Sequence, residues 1–175
     1  MPPVVAALAA IAVSACGEAP GAADADRYSV ELRPLNDSGV EGRARLDREG
    51  EHLAVTIVAD GLAPDQIHGQ GLHGFVEQRR PAECADGESG DAGPPADDEG
   101  ASAYGPRLRA LEPFPTVGSD GRLAYRLTFT IDPDQVEPLD SRALVLRGAS
   151  RDGAPYRPGL PVACGRLRSV ARAGA

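Results

Sequence analysis

The strictest pattern in this sequence is an alternation of apolar and polar residues in its second half. Its apolar members are Leu123, Tyr125, Leu127, Phe129 and Ile131. Successive side chains of a β-strand point to opposite faces of a sheet, so this spacing predicts a strand with one buried and one exposed face. A lone strand or hairpin is not stable in water, and the chain must therefore supply further strands to pair with it.

Seven shorter stretches are predicted to be those further strands. They lie at residues 28–32, 40–46, 53–57, 68–75, 107–111, 143–146 and 162–170. Turn sequences such as Asn36-Asp37-Ser38-Gly39 separate several of them. About eight short strands at fairly regular spacing predict an all-β fold, an antiparallel sandwich or flattened barrel. No helical stripe of useful length competes with this interpretation.

Composition and charge narrow the class of partner. The chain has 21 Gly and 16 Pro but only 4% aromatic residues, which favours short strands joined by turns over long helices. Its net charge is −8, and seven acidic residues with no base among them lie between Glu83 and Glu99. The rest of the chain is nearly neutral. A nucleic-acid partner is therefore not expected, because phosphates require a basic surface.

The amino-terminal residues resemble an export signal. An apolar run, residues 4–13, is too short to span a bilayer and fits the apolar region of a signal peptide. Val13-Ser14-Ala15-Cys16 resembles the lipobox of bacterial lipoproteins, in which the cysteine is acylated after cleavage. The sequence Met1-Pro2-Pro3 lacks the expected basic residue, so a plain secretory signal or a cytosolic terminus stays open as an alternative.

This interpretation divides the chain into four parts. They are a signal peptide at 1–15, a tether at 16–27, a β domain at 28–170 with an acidic loop at 83–105, and a disordered tail at 171–175. The resemblance implies an extracytoplasmic protein of a bacterial cell envelope that is anchored to the membrane by its lipid. More than one acyl chain is needed for stable anchoring.

The three cysteines can then be assigned. If Cys16 carries lipid, Cys84 and Cys164 form an even pair in an oxidising compartment, and a disulfide is expected. Closing a loop of about 80 residues would stabilise the fold by roughly 4–5 kcal/mol in the chain-entropy model. The alternative is two free buried thiols, which requires that the protein is not exported.

Two short motifs resemble a known family. Gly71-Leu72-His73-Gly74-Phe75 resembles the start of the metal-binding segment of copper/zinc superoxide dismutases, and Val162-Ala163-Cys164-Gly165 resembles their carboxy-terminal cysteine segment. The stretch from His68 to Phe75 is also similar to the H-x-Q-H-I-H-G-F stretch of bacterial relatives and of chordin-type (CHRD) domains. The resemblance implies a Greek-key β-sandwich with a Cys84–Cys164 disulfide.

The metal ligands of that family are largely missing. The chain has three histidines, His52, His68 and His73. Depending on the alignment, the copper-binding pair falls on Val76 and Gln78, or its middle histidine falls on Gly71. Arg147 stands where the family has a ligand after an aliphatic run, and Pro161 stands where it has a substrate-guiding arginine. Superoxide dismutation is therefore not expected.

The remaining candidate ligands each have two interpretations. His68 and His73 could bind copper or zinc, but they are five residues apart and point to opposite faces of a regular strand unless a bulge realigns them. A structural role, with the imidazole bridging backbone groups, is favoured. Asp86, Glu88 and Asp91 could bind calcium, but they lack the spacing of a calcium loop, which favours a solvated loop.

The sequence contains no nucleophile, phosphate-loop or paired-carboxylate signature. It favours a non-catalytic, lipid-anchored domain with a structural or recognition role at the cell envelope and without a cofactor. A degenerate copper/zinc protein and a calcium-binding adhesive module are the alternatives. The expected contact is the membrane, through the lipid anchor, and the sequence names no protein or envelope partner.

Overall fold

The computed structural model describes residues 26–76, 80–84, 103–150 and 155–171. The described residues contain nine strands and two short helical turns. The strands are β1 (Asp26–Pro34), β2 (Glu41–Glu49), β3 (His52–Asp60), β4 (Gly69–His73), β5 (Arg107–Ala110), β6 (Leu123–Thr130), β7 (Ala143–Ala149), β8 (Arg157–Arg166) and β9 (Arg168–Ser169). The helix α1 (Pro133–Val136) and a 3-10 turn (Leu139–Ser141) lie between β6 and β7.

Eight of the strands form one curled antiparallel sheet in the order β5-β4-β7-β8-β1-β2-β3-β6. The short strand β9 pairs with β1 beside this path. The last residues of β1, Arg33 and Pro34, pair with Cys164 and Ala163 of β8 and join the two halves of the sheet. The chain crosses between the halves from β3 to β4, from β5 to β6 and from β6 to β7, as Greek-key connections do. The predicted all-β antiparallel fold is confirmed.

The observed strands differ from the predicted ones mainly at their ends. β1 begins at Asp26, inside the predicted tether, and β6 coincides with the predicted strand to within one residue. β8 begins at Arg157, whereas the predicted strand begins at Val162. The sequence did not predict the first half of β8 because Pro158 and Pro161 are unusual within a strand. The last predicted strand is divided into β8 and β9 at Leu167.

The main core lies inside the curl of the sheet. Along β3 and β6 the apolar residues pair across the strands, namely Leu53 with Phe129, Val55 with Leu127 and Ile57 with Tyr125. The residues between them on each strand face outward. This is the arrangement that the alternating pattern predicts, since one register fixes which side of every strand is buried.

A second, smaller core covers the outside of β7 and β8. All seven residues of β7 are buried, because Leu144 and Leu146 face the main core while Ala143 and Val145 face outward. The outer cluster comprises Leu35, Ala82, Tyr104, Ala143, Val145 and Cys164. The disulfide between Cys84 and Cys164 holds residues 80–84 against this cluster, and its Cα atoms are 5.6 Å apart. The predicted disulfide is confirmed, and the alternative of two free thiols is wrong.

Candidate functional site

His68 lies directly before β4 and is fully buried. Its Nδ1 atom is 3.1 Å from the carbonyl oxygen of Arg147, and its Nε2 atom is 2.9 Å from that of Ala63. Its own backbone N–H donates to the carbonyl oxygen of Pro115. A neutral imidazole carries one N–H, so one of these nitrogens donates to its carbonyl and has no lone pair for a metal, while the lone pair of the other faces a carbonyl oxygen. His68 therefore connects three segments of the backbone.

Gly148 and Tyr156 form the wall beside the His68 ring. The rings of His68 and Tyr156 meet edge to face with centroids 5.7 Å apart, and the Tyr156 hydroxyl donates to the carbonyl oxygen of Ile67. Burial raises the pKa of Tyr156. Gly148 has φ +112°, and a Cβ there would collide with the Tyr156 hydroxyl and lie 2.9 Å from His68 Nδ1. Only glycine fits this position.

His73 ends β4 and is 1% exposed. Its Nδ1 atom lies 3.0 Å from the carbonyl oxygen of Gly105, and its ring meets that of Tyr104 edge to face with centroids 5.1 Å apart. Tyr104 and Gly105 are not among the residues that bond to or pack against His68 in the contacts given above. The structure thus places the two imidazoles against different parts of the backbone, which agrees with the structural interpretation of His73.

The register of β4 against β7 shows which positions share a face. Gly69, Gly71 and His73 lie opposite Arg147, Val145 and Ala143, on the outer face. Gly71 and Arg147 are two of the positions where the resemblance would place a metal ligand, and His73 is one of the two candidate histidine ligands. Gly71 has no side chain, and a Cβ there would lie 2.9 Å from Cδ of Arg107. Arg147 donates from Nη1 to the carbonyl oxygen of Gly159 at 2.9 Å.

Arg142 is a structural residue that the sequence did not indicate. It is 1% exposed, and its guanidinium donates to the carbonyl oxygens of Val136 at 2.8 Å, Phe75 at 3.1 Å and Glu137. Burial lowers the pKa of Arg142, and the nearby carboxylate of Asp140 opposes that shift. Because arginine is mostly exposed in proteins, nothing in the sequence distinguishes this one from its neighbours.

The Gly-Leu-His-Gly-Phe motif acts here as a packing element. Leu72 fills the main core, and a Cβ at Gly74 would collide with the side chain of Arg142. Phe75 gives its carbonyl oxygen to Arg142, and its ring lies under the Arg80 guanidinium, 3.6 Å from the centroid. Each position of the motif therefore has a structural reason that involves no metal.

The other predicted ligands lie elsewhere. His52 is exposed at the start of β3, where its backbone pairs with Glu49 and Thr130. Val76 is 42% exposed. The predicted lipidation site Cys16, the calcium candidates Asp86, Glu88 and Asp91, and Gln78 all lie outside the described residues.

Within the part of the chain that the structure describes, no three His, Cys, Asp or Glu side chains are grouped to hold a metal ion. The same residues contain no helix long and apolar enough to cross a bilayer. A scan of the sequence against protein-family models gave no match, and neither did a search of curated proteins.

Proposed function

We propose that this protein is a lipid-anchored, extracytoplasmic β-domain with a structural or recognition role at a bacterial cell envelope, and that it does not perform redox catalysis. The proposal combines the lipobox-like sequence that ends at Cys16 with a disulfide-bonded sheet. The resemblance to copper/zinc dismutases then concerns the scaffold rather than the chemistry.

The main support for the proposal that the protein does not perform redox catalysis is the environment of His68. Both of its ring nitrogens face backbone carbonyl oxygens at 2.9–3.1 Å. A copper ion that cycles between two oxidation states needs several nitrogen donors around one open centre. A metal at His68 would have to displace the carbonyl oxygen that the ring nitrogen faces in this fully buried site. At the donating nitrogen it would also break a buried hydrogen bond, which costs about 1–3 kcal/mol.

The disulfide supports the proposed compartment. Cys84–Cys164 links residues that are 80 apart in sequence, and such bonds persist mainly outside the reducing cytosol. The net charge of −8 argues against a nucleic-acid partner, and the contact with the membrane would be made by the lipid anchor alone.

Fractionation of cells that produce the full chain tests the anchor. We expect the protein in the membrane fraction, with the mature amino terminus at Cys16 carrying acyl groups by mass spectrometry. A Cys16→Ser variant should leave the membrane or remain uncleaved, and an Arg43→Met variant, changed at an exposed position, serves as the control that keeps the lipobox and the disulfide. A wild-type chain that stays in the cytosol with an unmodified Cys16 would rule out the anchoring proposal.

Thermal unfolding with added copper or zinc tests whether the folded protein binds either metal, which redox catalysis of the dismutase type would require. A metal that binds only the folded protein stabilises it by about 2.7 kcal/mol at a hundredfold excess over its dissociation constant. We expect no change in Tm with either ion at micromolar concentrations. An upward shift of several degrees that disappears in a His68→Gln, His73→Gln double variant would support the degenerate metalloprotein instead.

A further inference from the structure

Strand β6 is a long sheet edge whose one protective feature in sequence is the exposed charge of Arg126. It lies at one end of the strand order and pairs with β3 over eight residue pairs without a register shift. It contains no Pro, Gly or Lys. In the described ranges, no backbone hydrogen bond reaches the side of β6 away from β3. Such an edge is a template for pairing with another strand.

The opposite edge of the sheet is built differently. β5 has only four residues, and its pairing with β4 is interrupted by a register shift between Leu72 and His73. Short and irregular edges are a common means of preventing pairing between chains. The contrast between the two ends singles out β6 as the edge available for association.

The two faces of β6 limit how a second copy can pair with it. Paired residues must lie on the same face of a sheet, so an antiparallel two-fold register has to be centred on a residue. The longest overlaps are centred on Arg126 or on Leu127. The first would place Arg126 opposite Arg126 of the other copy, and like charges directly opposite each other are destabilising.

The register centred on Leu127 avoids that conflict. It places Leu127 opposite Leu127, Tyr125 opposite Phe129 and Arg126 opposite Thr128. Aromatic pairs of this kind stabilise adjacent strands. The exposed pair of Arg126 and Thr128 occurs twice, once on each side of the two-fold axis. The sequence of β6 is therefore complementary to itself in one of its two longest registers.

We propose that two copies of this chain associate by antiparallel pairing of β6 in the register centred on Leu127. The pairing extends the β1–β2–β3–β6 half of the sheet into that of a second molecule. An interface made mainly by one edge strand is smaller than that of a stable dimer, so the association is weak and depends on concentration.

Sedimentation equilibrium of the full chain in detergent tests the proposal with two variants at one exposed position. Thr128→Arg places an arginine opposite each Arg126, whereas Thr128→Glu places a carboxylate there. We expect the dissociation constant to rise at least about fivefold for Thr128→Arg and to fall about fivefold for Thr128→Glu. Equal values for the two variants overturn the proposal, as does a wild-type chain that is still monomeric at about 1 mM.

Cysteine cross-linking tests the register itself. A mixture of Arg126→Cys and Thr128→Cys chains should form a disulfide between the two, because these positions face each other, while each variant alone should cross-link much less at the new cysteine. Preferential cross-linking of Arg126→Cys with itself contradicts the Leu127 register. Both positions are exposed, and unchanged circular dichroism and Tm of each variant confirm that it is folded.

Discussion

The Nδ1 atom of His68 lies 3.1 Å from the backbone carbonyl oxygen of Arg147. Arg147 stands where the resemblance to copper/zinc dismutases places a metal ligand. The two residues are thus connected through the backbone, while the Arg147 guanidinium donates to Gly159 instead. This contact joins the segment before β4 to strand β7.

The packing around His68 predicts a strong effect at Gly148. A Gly148→Ala variant combines an unfavourable positive φ with a collision against Tyr156. We expect a loss of about 2–4 kcal/mol in the free energy of unfolding, measured by urea denaturation. Gly159→Ala is the control, since a Cβ there has no neighbour within 4 Å, and it should change stability by less than about 0.5 kcal/mol. Equal losses for the two variants would show that Gly148 is not constrained.

The buried guanidinium of Arg142 predicts a second large loss. Arg142→Met leaves the carbonyl groups of Phe75, Val136 and Glu137 without this donor, which should cost about 3–5 kcal/mol. Arg142→Lys should recover only part of the loss, because one ammonium group cannot match the planar set of donors. The exposed Arg43 provides the control, and Arg43→Met should have little effect on urea denaturation. A stable Arg142→Met variant would contradict this role.

Several of these features follow from the sequence and others do not. The alternation from Leu123 to Ile131 predicted β6, because burial on one face of a strand has a period of two residues. The short helix α1 had a usable signal in Asp132-Pro133, where the Asp132 side chain accepts from the backbone N–H of Asp134 at 3.0 Å. Four residues are, however, too few to show helical periodicity.

The hydrogen bonds of the candidate site could not be predicted in the same way. Apolar patterns indicate which face of a strand is buried, but they do not indicate which carbonyl group a buried polar side chain reaches. Arg142 bonds to the carbonyls of Val136 and Glu137 shortly before it in sequence and also to that of the distant Phe75. The disulfide could be predicted because, once Cys16 was assigned to lipid, only Cys84 and Cys164 were left to pair.

The disulfide should contribute a large part of the stability. Replacing both Cys84 and Cys164 with Ala removes a constraint on residues 80 apart, and the chain-entropy model gives a loss of about 4–5 kcal/mol. Thermal and urea unfolding of the wild type under reducing conditions should approach those of the double variant. A variant as stable as the oxidised wild type would show that residues 80–84 are held by packing alone.

The tyrosines predict how stability changes at high pH. Burial raises the pKa of Tyr125 and Tyr156 in the folded protein, and a hydrogen bond with Gln70 opposes the shift at Tyr125. Their contribution is complete below the unfolded pKa of about 10 and is lost as the pH rises toward the folded values. The chain has no lysine, so tyrosine dominates this range.

The measurement is the free energy of unfolding between about pH 8 and pH 11. We expect it to fall above about pH 10, and to fall less steeply in Tyr156→Phe. That variant should also lose about 0.5–1.5 kcal/mol at neutral pH, since Phe cannot donate to Ile67. The same slope in both proteins would show that Tyr156 is as easily ionised in the folded state as in the unfolded one.

The most direct test of the proposal is the metal content of the full chain, purified without chelators from cells supplied with copper and zinc. Because both ring nitrogens of His68 face carbonyl oxygens, we expect well under one equivalent of either metal by mass spectrometry. One equivalent of copper or zinc that is lost in the His68→Gln, His73→Gln double variant would contradict the central claim.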